Sequence, residues 1–501
     1  MPDREFRNED HSISYVLAID LGGSGPKVAI VDSTGRIISS VTDSSEIIMI
    51  GDEGAEQDAE DWWNVIIKCS KKVIKESSVP AGKIIAIACD TQWSLTVPVN
   101  EDAEPVTNAI HWMDTRGGKY NRRVVDGIPK IQGYGLAKLL RWIRLTGLAP
   151  THSGVDSLGH VLHIKYDRPE IYQKTYKFLE PMDYLTSRLT GRITATQKSM
   201  VPFLLVDNRK WGEADYVDSL LKLTGLDRSK FPEIIENNGV VGPVKQSIAK
   251  ELGLAPTTQV VSGVADSNAS LIGSGGIEDF DSTIYIGTTL YMTCHIPFKK
   301  TDLTHFMTSI PSPFPGRYYL FGEQGAGGKC VEYFLKKIVY PDDQFETGSK
   351  PEDAYERFNG LAGIAPAGSN NLIFMPWLNG SIVPCEEPNM RAGFVNMTLN
   401  TDRSHMARAI FEGLAFNSRW TMEALEKFIG RKPEFFRFAG GGARSDLWSQ
   451  IHADILGVPI HQIEDPINGT VKGTALLAFH LLGKLTLNEL SSLVRVKQVY
   501  E

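Results

Sequence analysis

GVADSNASLIGSGG, Gly263 to Gly276, followed closely by STIYIGTTLYMTCHI, Ser282 to Ile296, decides how this chain folds. The apolar run QVVSG reads as a strand that delivers the chain to Asp266, and Asp266 to Leu271 reads as the start of a helix with Asp266 and Ser267 placed to cap it. A carboxylate at that end gains from the helix dipole and stays ionised, as a general base for a hydroxyl must. The same residue can equally serve as a plain N-cap, worth about 1 kcal/mol. The second stretch reads as strand, glycine turn, strand, and its pattern occurs once before, where YVLAID (Tyr15 to Asp20), the turn LGGSG and KVAIVD follow one another. Two such hairpins at the heads of two halves imply two related α/β domains facing a shared cleft, each presenting its turn to an anion.

The first hairpin carries its own chemistry. A tight glycine turn can aim several backbone N–H groups at one anion, so Ser24, Gly25 and Lys27 form a candidate phosphate clamp. Asp20, at the strand end, can hold magnesium through water, because that ion prefers few carboxylates and keeps much of its hydration. The competing possibility is a plain hairpin with a satisfied aspartate.

Composition narrows the function classes. The 501 residues are 42% hydrophobic and 22% charged, which suits a globular protein of two or three domains. A formal net charge of -8 argues against nucleic-acid partners, which call for a basic surface. No apolar run approaches the ~20 residues of a membrane helix, and the opening MPDREFRNEDHS is too polar for a secretion signal, so no membrane partner and a cytoplasmic location are expected. Cys69, Cys89, Cys294, Cys330 and Cys385 are scattered and lack any CxxC pair, which argues against disulfides and cysteine-bound zinc.

Between the hairpins, Asp58 can cap a helix bearing Trp62, Val65, Ile66, Cys69 and Val73 at helical spacing. KIIAIAC is a buried strand ending in DTQWS, and polar residues beyond such a strand end are where open α/β sheets place ligands, so Gln92 and Trp93 are candidate substrate contacts. A structural tryptophan fits too. In WMDTRG, Asp114 can accept two vicinal hydroxyls of a polyol or simply pair with Arg116. The segment from Gln132 to Ser157 reads as an inserted amphipathic helix between loops. Near the C-terminus, GGGARSDLWSQ lets a backbone approach a ligand before a helix begins near Ser445, and Gly469 and Gly473 mark a close helix contact.

Taken in order, DLGGSGPK, EQDAEDWW, TQWS, WMDTRG, PMDYLTSRLTG, GVADSNASLIGSG, IGTT and GGGARSDLWSQIHADILG resemble the FGGY family of carbohydrate kinases, its xylulokinase-like branch most of all, from Tyr15 to about Gly483. The resemblance implies two actin-like ATPase (ribonuclease H-like) domains, ATP with Mg2+, a small sugar or polyol as acceptor, and Asp266 as the base. It implies Gly287 and Thr288 as the second phosphate turn, and Gly441, Gly442 and Ser445 as the place where adenosine docks. A homodimer is a further family expectation. The expected layout is a disordered tail over 1–13, an N-terminal domain over 14–276, a C-terminal domain over 277–488 and a tail over 489–501. A ketose such as xylulose is the expected acceptor, with another polyol (glycerol, erythritol, ribulose) or a sugar sensor without transfer activity as alternatives.

Three departures from the family pattern stand out. Gly23 lies where relatives carry a hydroxyl residue, Gln92 and Trp93 lie where xylulokinases commonly carry methionine and histidine, and His160 and His163 lie where a Lys–Trp signature is usual. The second puts xylulose in doubt. The two histidines could share a helix face toward a metal, but no third ligand accompanies them.

Overall fold

A computed structural model describes residues 13–237, 239–344 and 348–501. The expected N-terminal tail falls almost wholly outside the described residues. In the first half, strands β1 (Tyr15–Gly22), β2 (Gly25–Asp32) and β3 (Ile37–Thr42) form an antiparallel run, helix α1 (Ala59–Ser77) follows, and β4 (Ile84–Thr91) and β5 (Gln259–Val261) extend the sheet in parallel beyond β1. Helix α2 (Asp266–Gly273) comes next.

The second half repeats the plan with β6 (Ser282–Ile286), β7 (Thr289–Ile296), β8 (Tyr318–Ala326), α3 (Arg403–Ile429), β9 (Phe436–Ala439), α4 (Asp446–Leu456), β10 (Ile460–Ile463) and α5 (Gly469–Leu481). The sheet orders correspond strand for strand: β3-β2-β1-β4-β5 and then the antiparallel edge Val240–Pro243, against β8-β7-β6-β9-β10 and then the antiparallel edge β11 (Val496–Tyr500). The expected tail over 489–501 is therefore corrected. Its residues close a helix (Leu487–Ser492) and pair as a strand with β10.

Strand alternation explains the layering. Leu17, Ile19 and Leu21 of β1 pack into the core built on α1, while Val16 and Ala18 face Val471, Ala475 and Phe479 of α5. Burial on both faces is why YVLAID reads as a continuous apolar run. The layer over the first sheet is thus supplied by the last long helix of the second half. Asp58 caps α1 by accepting from the N–H groups of Glu60 and Asp61.

Helices α2 and α5, which follow the fifth strand of each half, meet backbone to backbone. A Cβ on Gly273 would lie 1.7 Å from the Gly469 carbonyl oxygen, and one on Gly473 would lie 1.9 Å from that of Ala269. Only glycine fits either place. The inserted helix, Leu136–Thr146, ties down to the second half, since the Gly147 carbonyl accepts from the Thr301 and Thr308 hydroxyls at 2.7 and 3.1 Å.

Candidate active site

Three carboxylates converge where the first half meets the second. Asp20 and Asp90 face each other across the parallel β1–β4 pair, and Asp266 opens α2. Asp266 occupies the first helical position rather than the cap: Ala265 is the cap residue, and the Asp266 carboxylate accepts the N–H of Ser267 at 2.6 Å. Burial raises Asp20, with the Lys27 ammonium opposing it across the β1–β2 ladder. Burial and then the charge of Asp20 hold Asp90 well above the usual carboxylate range, although the Thr474 hydroxyl of α5 donates to it. Asp266 is pushed up to about 7, first by burial and then by Asp20, with the Ser267 bond opposing and the charge of Glu323 adding. A buried Asp90 oxygen, Oδ1, is left without a partner.

The first turn is held by side chains. Gly25 has φ +128°, and a Cβ there would lie 2.3 Å from the Asp43 carbonyl oxygen, so the turn needs glycine at that point. Ser24 stands exposed at the tip. Gln92 donates from Nε2 to Gln57 Oε1 at 2.7 Å, and Gln57 Nε2 donates to the Gly23 carbonyl at 3.2 Å. A Cβ on Gly23 would sit 3.3 Å from Gln92 Oε1. A side chain at Gly23 would thus press on this glutamine pair, which would have to give by a few tenths of an ångström. Lys27 crosses to the second half, donating to the Ile467 carbonyl at 3.2 Å and to Asn468 Oδ1 at 3.1 Å.

The second turn is held by backbone. The N–H groups of Gly328 and Gly327 donate to the carbonyls of Gly287 and Thr288 at 2.8 and 3.0 Å, and Thr288 is exposed at the tip. This turn opens onto a cavity of about 480 Å³ whose wall includes Gly287, Thr288, Gly441, Gly442 and Ser445. Phe411 stacks on Trp448 at 4.2 Å along the same wall. Ser445 caps α4 by accepting from the Trp448 N–H at 2.9 Å, and its hydroxyl donates to Asn359. The cavity combines aromatic faces, open glycine backbone and a helix N-terminus, a surface suited to a nucleoside with its phosphates directed toward the turn.

The N-terminal domain of the FGGY family of carbohydrate kinases matches residues 15–273, and its C-terminal domain matches 283–482. The chain belongs to this family. Among relatives of the FGGY chain, xylulose kinase of Bacillus subtilis (strain 168) is 26% identical over 468 residues, covering 93% of this chain and 88% of that protein. Among solved structures, gluconate kinase from Lactobacillus acidophilus superposes with a TM-score of 0.81 at 24% identity (98% of this chain, 94% of that one). Plasmodium falciparum glycerol kinase with ADP also gives 0.81, at 21% identity (99% and 95%). The protein is a sugar kinase of the actin-like ATPase fold, and no helix among the described residues is long and apolar enough to cross a membrane.

Within this FGGY fold the expected residues fall into two groups and one outlier. Asp20, Lys27 and Asp266 meet at the first turn with Ser24, Gly25 and Gln92, and the five residues of the second half share the cavity. Trp93 is half-buried in an apolar cluster with Leu271, Tyr319 and Phe321, and so touches both halves. Asp114 stands apart. It is fully buried, accepts from the Ala55 N–H at 3.0 Å and is gripped by Arg116, which also pairs with Glu56 at 2.7 Å. His160 and His163 bond to Thr96 and Asp167, and no cluster of three or more metal-ligating side chains occurs among the described residues.

Sequence reading missed Asp90, Gln57 and Glu323. The DTQWS motif did display Asp90, and the one available clue was an acid inside a buried strand that should otherwise be apolar.

Proposed function

We propose that the protein transfers the γ-phosphoryl group of ATP to a hydroxyl of a small sugar, a ketose such as xylulose or a related polyol, with Asp266 as general base. The observation that carries the reading is Asp266 at the front of α2, raised to about 7, within electrostatic reach of Asp20 on one side and Glu323 on the other. A base titrating near neutrality is well matched to taking a proton from an alcohol at physiological pH. The turns at Ser24 to Lys27 and at Gly287–Thr288 supply N–H groups for the β- and γ-phosphates, and Gly441, Gly442 and Ser445 back the adenosine.

Asp20 and Asp90 suit a hydrated magnesium ion. They are two carboxylates side by side, each raised first by burial, with Asp20 raising Asp90 further while the bond from Asp90 lowers Asp20. Asp90 Oδ1 takes no donor, an arrangement that matches an ion that keeps most of its water. When bound, that ion would spread the charge developing on the phosphates. The chain's own part is to orient the alcohol, receive its proton on Asp266 and keep water from the phosphoryl group.

A coupled ADP-release assay over ketoses, aldoses and alditols tests the reading. Sugar-dependent release with at least one of them is the expected result. Only sugar-independent ATP turnover would overturn it.

A further inference from the structure

Side chains alternate along β8, so Tyr319, Phe321 and Glu323 share one face. The two rings show where that face looks. The Tyr319 hydroxyl donates to Ser267 Oγ at 2.6 Å, one residue past Asp266, and Phe321 packs 5.2 Å from Tyr291, whose hydroxyl meets Ser270 Oγ at 2.7 Å. Glu323 lies beside Tyr291 in the β7–β8 ladder and is therefore presented to the same helix from the opposite half. Its charge is felt at both Asp266 and Tyr319.

No hydrogen bond or ion pair reaches the Glu323 carboxylate among the described residues, and burial alone pushes it up to about 7. Glu323 is half-buried and its oxygens are not among the sealed, unpartnered atoms, so the carboxylate opens to the cleft where a ligand's hydroxyl groups can replace water as its donors. The cations of the region are committed elsewhere. Lys27 binds Ile467 and Asn468, and Lys198 donates to the Asn237 carbonyl and, at 3.2 Å, to Ser262 Oγ.

We infer that Glu323 is a specificity residue for the acceptor: its carboxylate accepts hydrogen bonds from the hydroxyls of a neutral polyol and, with Asp266 opposite, repels sugar acids. The inference rests on the kinase reading above and narrows its substrate class. The fold alone does not make that choice, since both a gluconate kinase and a glycerol kinase share it. A carboxylate substrate placed between two acids, with Lys27 and Lys198 both committed among the described residues, would lose on the order of 100-fold in affinity.

The test uses the full chain at saturating Mg-ATP with ketoses, alditols and gluconate. Neutral polyols should be turned over at least 100-fold more efficiently than gluconate. Glu323→Gln should raise KM for the best neutral substrate tenfold or more, leave kcat within about threefold and KM for ATP unchanged, and narrow the gap to gluconate. ADP titration calorimetry checks folding, and if Glu323→Gln no longer binds ADP, Glu323→Asp is judged by the same KM-against-kcat split. Preference of the wild type for gluconate, or an unchanged sugar KM in the variant, would overturn the assignment while leaving kinase activity standing. ADP release that depends on none of these compounds would instead sink the kinase reading itself.

Discussion

In the first half of the molecule the strands that reach the cleft carry acids near their ends, and in the second half the corresponding strands carry none there and run on into glycines. Asp20 lies two residues before the end of β1, Asp90 one before the end of β4 and Asp266 opens α2 after β5, whereas Gly287 follows β6, Gly440 to Gly442 follow β9 and Gly469 opens α5 after β10. One topology thus offers two chemistries. Acids near strand ends suit handling of a proton and a cation, while glycines can expose N–H groups and leave room for a large ligand. The halves differ in their turns as well, since glutamine side chains buttress the first and backbone N–H groups clamp the second.

The sharpest way to break the comparison is to remove the acid that has no counterpart in the second half. Asp266→Asn keeps the shape but cannot accept the proton, so turnover should fall by about 10²–10⁴ while ATP affinity stays within a few-fold of wild type. Initial rates and nucleotide titration check both. Substantial residual turnover would deny Asp266 its role.

The next largest effect lies at the seam. Gly473→Ala drives a methyl group into the Ala269 carbonyl, so it should destabilise by about 1–3 kcal/mol and lower Tm by several degrees. Gly82→Ala, where nothing lies within 4 Å, serves as the neutral control. Calorimetric scans of the pair decide, and equal melting would show that the α2–α5 contact tolerates a side chain.

A pH titration sharpens the acid side. With Asp266 raised to about 7, the ionised fraction grows as pH rises, so kcat/KM should climb nearly tenfold per unit below 7 and level off above it. Stability moves the opposite way. Between roughly pH 4 and 7 the native acid keeps a proton that the unfolded chain has released, so this residue's contribution is complete below about 4 and is lost by about 7. Asp266→Asn should flatten that decline and melt higher than wild type at pH 8. A flat rate profile through 7, or identical melting of the two proteins at pH 8, would place the base elsewhere.

What was legible in the sequence is what local chemistry dictates. Both hairpins, the helix capped by Asp58, the helix start near Ser445 and the close contact at Gly469 and Gly473 follow from runs of a few residues. Asp90 was not legible as a partner of Asp20, because their pairing depends on a parallel register across some seventy intervening residues. Glu323 was hidden by its strand, whose alternation gives two faces without saying which meets α2. For Asp114 the sequence left two readings open, a polyol acceptor and a partner of Arg116, because an acid in a cleft and a buried anchor look alike in one dimension, and the structure shows the Arg116 pair. The strand at Val496–Tyr500 exposes four of its five residues, so it carries almost no hydrophobic signal and exists through pairing with β10.

The smallest expected effect tests the glycine side. The three glycines after β9 are not equivalent: a Cβ on Gly440 would meet the Ile286 carbonyl oxygen at 2.5 Å, one on Gly442 would press Ile286 and Trp448 at 2.8 and 3.0 Å, and one on Gly441 would meet nothing within 4 Å. Gly441 is therefore free of any packing duty, and its place in the cavity wall is explained only by what occupies the cavity. Gly441→Ala should leave Tm and the sugar KM unchanged while raising KM for ATP several-fold, because the added methyl takes space from nucleotide alone. Gly442→Ala, by contrast, should cost stability as well as ATP affinity. If Gly441→Ala binds ATP as tightly as wild type, adenosine does not lie against this turn, and the assignment of the second half's glycines to the nucleotide falls with it.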